Sequence, residues 1–120
     1  MSKRVMVVDD SMVMRQQVAK ALRGAGYDVL EAIDGQDALD KLGENPGLAL
    51  VVCDVNMPRV SGIEFLERRG DASAPIVMLT TEGQAEMIQK AKSLGAKGWI
   101  TKPFKAELLI AAAKKLAPLP

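Results

Sequence analysis

The side chains of this chain that could do chemistry stand directly after short apolar runs. Asp9 and Asp10 follow residues 5–8 (VMVV), and Asp54 follows residues 48–53 (LALVVC). The polar residues that follow the other runs are Asp34, Thr80, Thr81, Thr101 and Lys102. If the runs are parallel strands of one sheet, their carboxyl ends share the edge where such sheets bind ligands. Three acids and one lysine would then face one crevice.

A crevice that contains Asp9, Asp10 and Asp54 is expected to bind a divalent cation. Adjacent carboxylates repel one another unless a cation neutralises part of their charge. Oxygen ligands without histidine or thiolate select Mg²⁺, with Mn²⁺ as a substitute. With the three acids ionised and Lys102 positive, the cluster carries −2, which one divalent ion brings near zero.

A site neutralised in this way would accept a dianionic phosphoryl group. A carboxylate can be the covalent acceptor when metal and cation screen the transferring charge. Asp54 is the best-placed nucleophile, Thr80 offers a hydroxyl donor, and Lys102 offers a mobile positive charge. Taken singly, each would pass as a strand end, a helix cap or a surface lysine. Their joint order is what indicates function.

Composition predicts one small domain. A chain of 120 residues holds one hydrophobic core without a substantial second domain, so residues 1–120 are expected to form a single domain. The formal charge of +1 provides no global field for nucleic acid or an anionic membrane. Cys53 is the only cysteine and histidine is absent, which excludes an intrachain disulfide and a Cys/His zinc site. Residues 5–8 are too short for a signal peptide, so a cytoplasmic location is expected.

Apolar runs and helical spacing alternate along the sequence. Strands buried on both faces are predicted at residues 5–8, 48–53, 76–79 and 99–100, and a strand nearer an edge at 28–33. Apolar residues at three- and four-residue spacing predict helices at residues 12–23, 36–42, 63–69, 85–94 and 106–116. This alternation predicts an α/β fold in which a five-stranded parallel sheet carries helices on both faces.

Four ordered segments carry a family resemblance. VVDDS at 7–11, CDVNMPRVSG at 53–62, MLTTE at 78–82 and GWITKPF at 98–104 together resemble the receiver domains of response regulators, in particular the single-domain chemotaxis type. The similarity runs from about residue 3 to 116. It implies the (βα)5 flavodoxin-like fold and strand order. It also implies a two-component signalling protein that is not a classical enzyme, although it assists its own phosphorylation and dephosphorylation.

The same resemblance assigns a metal site and a phosphoacceptor. Asp10, Asp54 and the main-chain carbonyl of Asn56 would ligate Mg²⁺, with Asp9 acting mainly through water. Asp54 would receive the phosphoryl group from a histidine kinase.

It further assigns the residues that respond to phosphorylation. Thr80 would move to hydrogen-bond the phosphoryl group, and Lys102 would pair with it. Trp99 stands at the switch position, which is usually Tyr or Phe; an indole is larger and only donates, which leaves open whether it rotates inward fully. The Lys102–Pro103 bond would be cis. Asn56 and Glu82 match positions that set how quickly the phosphoryl group is lost, with the residues of fast-cycling regulators.

The resemblance also suggests partners. The upstream partner would be a chemotaxis-type histidine kinase, and the downstream partner a flagellar motor switch protein that contacts the surface around Trp99. A monomer without an output domain is expected, with no nucleic-acid or membrane partner. A stand-alone phosphorelay or cell-cycle receiver is the alternative.

Other functions fit the residues less well. A haloacid-dehalogenase-type phosphatase also uses acids, Thr, Lys and Mg²⁺, but its acids form D-x-D, whereas Asp9 and Asp10 are adjacent. A flavin mononucleotide carrier needs backbone and hydroxyl donors after the first strand, where DDS would repel phosphate. A degenerate receiver that only binds partners usually lacks one of the acids, the threonine or the lysine, and all are present here.

Overall fold

Strands and helices alternate through the chain in the computed structural model, which describes residues 3–57, 59–69, 74–81 and 85–119. The strands are β1 (Arg4–Val8), β2 (Asp28–Ala32), β3 (Leu50–Cys53), β4 (Ile76–Thr80) and β5 (Gly98–Thr101). The helices are α1 (Met12–Gly24), α2 (Gly35–Glu44), α3 (Gly62–Arg68), α4 (Ala85–Ser93) and α5 (Ala106–Leu116). Every predicted element is present, and its ends differ from the prediction by at most two residues.

The strands form one parallel sheet in the order β2-β1-β3-β4-β5. The parallel sheet and the flavodoxin-like order are therefore confirmed. The chain starts in the interior at β1, passes outward to β2, and returns to β3 on the other side of β1. The strand order reverses between β1 and β3, and ligands bind beyond the carboxyl ends of the strands at such a point.

The edge strands are β2 and β5. The edge position predicted for residues 28–33 is confirmed. The prediction that residues 99–100 form a strand buried on both faces is wrong, because Trp99 and Ile100 are only half-buried. The cause is position in the sheet: β5 pairs with β4 alone, so its other side is open.

Alternate residues of the central strands enter two separate cores. In β1, Val5 and Val7 pack on one face of the sheet with α1 and α5, whereas Met6 and Val8 pack on the other with α2, α3 and α4. Because both faces are covered, the strand sequences are apolar throughout. Among the helices that the structure describes, none is both long and apolar enough to cross a bilayer.

Side-chain caps begin three helices beside the carboxyl edge of the sheet. Ser11 Oγ accepts from the Met14 amide at 3.3 Å at the start of α1. Asp34 Oδ1 accepts from the Asp37 amide at 2.8 Å at the start of α2. Ser61 forms a capping box at the start of α3. These contacts satisfy amides that lack a partner within their helices, so the loops that carry the polar residues end at defined points.

Candidate functional site

The carboxylates of Asp9, Asp10 and Asp54 converge at the carboxyl edge of the sheet. Val8 is in register with Cys53, so the residues that follow β1 lie beside the residue that follows β3. The Asp54 amide donates to the Val8 carbonyl at 3.0 Å. Each of the three acids has a carboxylate oxygen within 4.8 Å of those of the other two. Parallel pairing thus assembles the cluster from residues more than 40 positions apart in the sequence.

Lys102 reaches this cluster from beyond β5. Its Nζ lies 2.8 Å from Asp9 Oδ2 and 3.4 Å from Asp54 Oδ2. The Lys102 amide donates to the Thr80 carbonyl at 2.8 Å, and the Lys102–Pro103 bond is cis, as the resemblance implied. Because the Lys102 side chain is only 10% exposed, solvent screens the attraction between its charge and the carboxylates only weakly.

Local hydrogen bonds orient two of the carboxylates. Asp9 Oδ1 accepts from the Ser11 amide at 2.9 Å, and Asp54 Oδ1 accepts from the Val55 amide at 2.7 Å. The guanidinium of Arg15 donates to the Asp9 main-chain carbonyl at 2.9 Å. Asp9 is therefore held by the backbone and by Arg15 of α1, and Asp54 by the backbone.

The charge and donor type of the cluster fit a hard divalent cation. The formal charges of the three carboxylates and the Lys102 ammonium sum to −2. The side chains of the cluster offer only oxygen to a metal, which suits Mg²⁺ better than zinc or copper. Receiver-type Mg²⁺ binding is thus compatible with the residues present.

Asp34 has a different role from the clustered acids. The Arg59 guanidinium holds it through two contacts, Nε to Oδ2 at 2.7 Å and a terminal nitrogen to Oδ1 at 3.0 Å. Hydrogen bonding from Arg59 lowers the pKa of the Asp34 carboxyl, and the Asp37 amide contributes in the same direction. Asp34 was predicted to lie with the crevice residues, and no role was predicted for Arg59. Arg59 belongs to the CDVNMPRVSG segment, but its position in the sequence does not indicate that it meets Asp34, 25 residues away.

Two glycines allow the loop between β3 and α3 to approach its neighbours. A Cβ on Gly62 would lie 2.1 Å from the Asp54 carbonyl oxygen, and a Cβ on Gly35 would lie 2.2 Å from the Val60 carbonyl oxygen. Neither glycine was singled out from the sequence, although Gly62 ends the CDVNMPRVSG segment. A side chain at either position would force the backbone to shift, because the nearest obstructing atom is a main-chain carbonyl oxygen.

The remaining predicted residues lie in varied surroundings. Thr80 is fully buried, whereas Thr81 and Thr101 are exposed. Asn56 is exposed next to the cluster, and Glu82 lies outside the described residues. Cys53 is a fully buried strand residue, as expected, and burial raises the pKa of its thiol, with the charges of Asp54 and Asp9 adding to the effect.

Trp99 lies on the same sheet face as Thr80. In the register between β4 and β5, Met78 is opposite Trp99 and Thr80 is opposite Thr101, so alternate residues share a face. The indole packs against the core that contains Met78. It also lines a cavity of about 520 Å³ at the open side of β5, together with Phe104 and Leu108.

Comparisons with known proteins identify a family. The sequence matches the response regulator receiver domain model over residues 5–114. It is 41% identical over 105 residues to the chemotaxis protein CheY of Treponema pallidum, covering 84% of this chain and 73% of that protein. It is 38% identical over 112 residues to the transcriptional regulatory protein PdtaR of Mycobacterium tuberculosis, covering 92% of this chain and 54% of that protein.

Solved structures show the same fold. The chemotaxis protein CheY4 of Vibrio cholerae is 38% identical, with a TM-score of 0.85 over 97% of this chain and 99% of that chain. A chain of the CheX-CheY-BeF3-Mg²⁺ complex of Borrelia burgdorferi is 26% identical, with a TM-score of 0.88 over 94% of this chain and 87% of that chain. On the motifs, the topology and the family match together, this chain belongs to the response regulator receiver domain family.

Proposed function

We propose that this receiver domain accepts a phosphoryl group on Asp54 in a Mg²⁺-dependent reaction and changes its affinity for a protein partner in response. The observation that carries the proposal is the assembly of Asp9, Asp10 and Asp54 within 4.8 Å, with Lys102 Nζ 3.4 Å from Asp54. An acidic cluster of this kind, with a nearby ammonium, suits transfer of a charged group to a carboxylate.

Asp54 is the nucleophile. One of its carboxylate oxygens forms a bond to phosphorus while the bond from phosphorus to the donor's leaving group breaks. The leaving group, a histidine nitrogen of the kinase or the acetate oxygen of acetyl phosphate, keeps the bonding electrons. Lys102 lies close enough to pair with a phosphoryl oxygen, and the hydroxyl of Thr80 donates to another.

Asp10, Asp54 and the main-chain carbonyl of Asn56 would hold Mg²⁺, with Asp9 acting mainly through water. When bound, the ion supplies positive charge that screens repulsion between the acids and the incoming phosphoryl oxygens. Asp9 Oδ2 also accepts a hydrogen bond from Lys102 Nζ at 2.8 Å, which keeps the Lys102 cation at the site.

Intact mass spectrometry tests this chemistry. Wild-type protein is incubated with acetyl phosphate in Mg²⁺ or in EDTA, beside Asp54→Asn and the control Asp40→Asn, which removes an exposed acid of α2. We expect one phosphoryl adduct in wild type and Asp40→Asn, dependent on Mg²⁺ and absent from Asp54→Asn. An adduct that persists in Asp54→Asn, or its absence from folded wild-type protein, would contradict the proposal.

The phosphorylated state is proposed to be short-lived. Asn56 and Glu82 match the residues found at the corresponding positions of fast-cycling chemotaxis regulators. A pulse of acetyl phosphate followed by its removal gives the half-life of the adduct by mass. A half-life of hours would contradict this part of the proposal.

Chemotaxis is the proposed setting, with a histidine kinase upstream and a flagellar motor switch protein downstream. Support comes from the chemotaxis relatives and from the half-buried Trp99, which lines a cavity at the open side of β5 on the sheet face it shares with Thr80. Binding of an N-terminal motor-switch peptide is measured with and without beryllofluoride as the phosphoryl mimic. Absence of a mimic-dependent gain would favour a receiver with another output, for which the similarity to PdtaR gives a precedent.

A further inference from the structure

The loop between β3 and α3, residues 54–61, begins at the phosphoacceptor and is tied down at both ends. The Gly62 amide donates to the Val55 carbonyl at 2.8 Å, and the Gly35 amide donates to the Val60 carbonyl at 3.0 Å. Arg59 lies inside this loop with φ of +66°, in the left-handed region that a residue with a Cβ rarely adopts. A disfavoured backbone conformation persists only where the surrounding contacts enforce it.

The contact that can enforce it is the ion pair between Arg59 and Asp34. The guanidinium offers two nitrogens to the two oxygens of Asp34, at 2.7 and 3.0 Å. Such paired contacts fix orientation as well as distance. The Asp34 side chain is only 6% exposed and also caps α2, so Arg59 is anchored to a rigid element.

We propose that Asp34 and Arg59 are positioning residues that hold the loop from Asp54 to Ser61 in the conformation required by the Mg²⁺ site. The inference rests on the proposed function, because the loop matters to the metal through Asp54 and the Asn56 carbonyl. Within the described part of the chain, the side chains of Asp34 and Arg59 hydrogen-bond to one another and to the Asp37 amide, and not to the acidic cluster or Lys102. The ion pair acts by fixing the backbone of the loop from Asp54 to Ser61 before the ion binds. This reduces the entropy that is lost when Mg²⁺ binds.

The opposing interpretation is an ordinary surface ion pair, since Arg59 itself is 59% exposed. Exposed pairs of this kind usually contribute little. The two interpretations differ in the sign of their effects on metal binding. If only charge matters, removing the Arg59 cation should tighten binding of a divalent ion, and removing the Asp34 anion should weaken it. If the pair positions the loop, either removal should weaken binding.

The test is a Mg²⁺ titration of the full chain followed by two-dimensional amide NMR, with Arg59→Gln, Asp34→Asn and the double variant. Asn retains the cap of α2, so Asp34→Asn removes mainly the ion pair. We expect each single variant to weaken Mg²⁺ binding about tenfold, the lower end of the effect of groups that orient metal ligands. The double variant should lose little more than either single variant, because the interaction is already gone.

Arg68→Gln is the matched control. Arg68 belongs to α3 and pairs with Glu64 Oε2 at 3.2 Å, with 55% of its side chain exposed. Its removal takes away the same charge and leaves Glu64 Oε1 to accept from the Ser61 amide at the end of the loop. It should leave the Mg²⁺ affinity within about twofold of wild type, as expected of an exposed pair. Tighter or unchanged binding in Arg59→Gln would overturn the positioning role.

A second readout separates this inference from the proposed function. Hydrogen exchange of the Gly35 and Gly62 amides is measured in metal-free protein, because both amides donate to carbonyls at the two ends of the loop. Both should exchange faster in Arg59→Gln than in wild type or Arg68→Gln. Unchanged exchange would overturn the inference even if wild type binds Mg²⁺. Failure of wild type to bind Mg²⁺ would instead refute the proposed function.

Discussion

Replacement of Gly62 by alanine tests how closely the backbone of Asp54 packs against α3. The new Cβ would lie 2.1 Å from the Asp54 carbonyl oxygen and 2.9 Å from both the Asp54 carbonyl carbon and Met78 Cε. Close carbon–oxygen contacts in proteins settle near about 3.3 Å, so the two backbones must separate by about 1 Å. The methionine can yield, but the carbonyl is part of the chain that presents Asp54.

This displacement should destabilise the fold measurably. Overpacking by one methyl group costs about 1–3 kcal/mol where the obstructing atoms cannot rotate away. For a domain of 120 residues, each kcal/mol changes the melting temperature by about 4 °C. We therefore expect Gly62→Ala to lower the melting temperature by about 8 °C, taking about 2 kcal/mol as the midpoint. Its phosphorylation by acetyl phosphate should slow as well, because Asp54 moves with its backbone.

Gly43→Ala adds the same methyl group where nothing lies within 4 Å, inside α2. Alanine favours a helix interior over glycine by about 0.5–1 kcal/mol, so this control should melt about 2–4 °C higher than wild type. Thermal unfolding followed by circular dichroism in EDTA compares the two variants directly. A melting temperature of Gly62→Ala at or above that of wild type would refute the steric reasoning.

Three further predictions concern the charged residues. Lys102→Gln should destabilise the metal-free protein by about 2 kcal/mol, because Asp9 and Asp54 lose the cation that pairs with them. The loss should be smaller than for one partner of a fully buried ion pair. A free energy of unfolding in urea equal to that of wild type would contradict this prediction. Mg²⁺ at one hundred times its dissociation constant should add about 2.7 kcal/mol of stability in wild type, and Asp54→Asn should lose most of this gain in the same assay. The pKa of Asp34 in the folded protein lies below its ordinary value of 3.8. The Asp34 carboxylate therefore stabilises the fold fully above pH 3.8, and this stabilisation is lost as the pH falls through the pKa of the folded state. The stability difference between wild type and Asp34→Asn should therefore shrink between neutral pH and the acid range, and a constant difference would show that the ion pair with Arg59 does not stabilise the charged form.

The sequence alone determined the order and type of the elements. Residues 5–8 and 76–79 are apolar at every position because both sheet faces are covered, and that pattern is local. The same pattern wrongly predicted burial on both faces for residues 99–100, because composition does not reveal that β5 pairs on one side only. Strand order came from the resemblance, because parallel pairing joins residues far apart in the chain and leaves no local trace.

The grouping of the clustered acids and Lys102 could be predicted from the sequence, whereas the contacts of the surrounding loops could not. Asp9, Asp10, Asp54 and Lys102 could be grouped because each follows a strand, and parallel strands end at one edge. The Arg59–Asp34 pair depends on a left-handed residue and on two loops meeting across the sheet. Contacts of that kind are set by the packing of whole elements, so only the tertiary structure decides which polar residues build the site and which hold it in place.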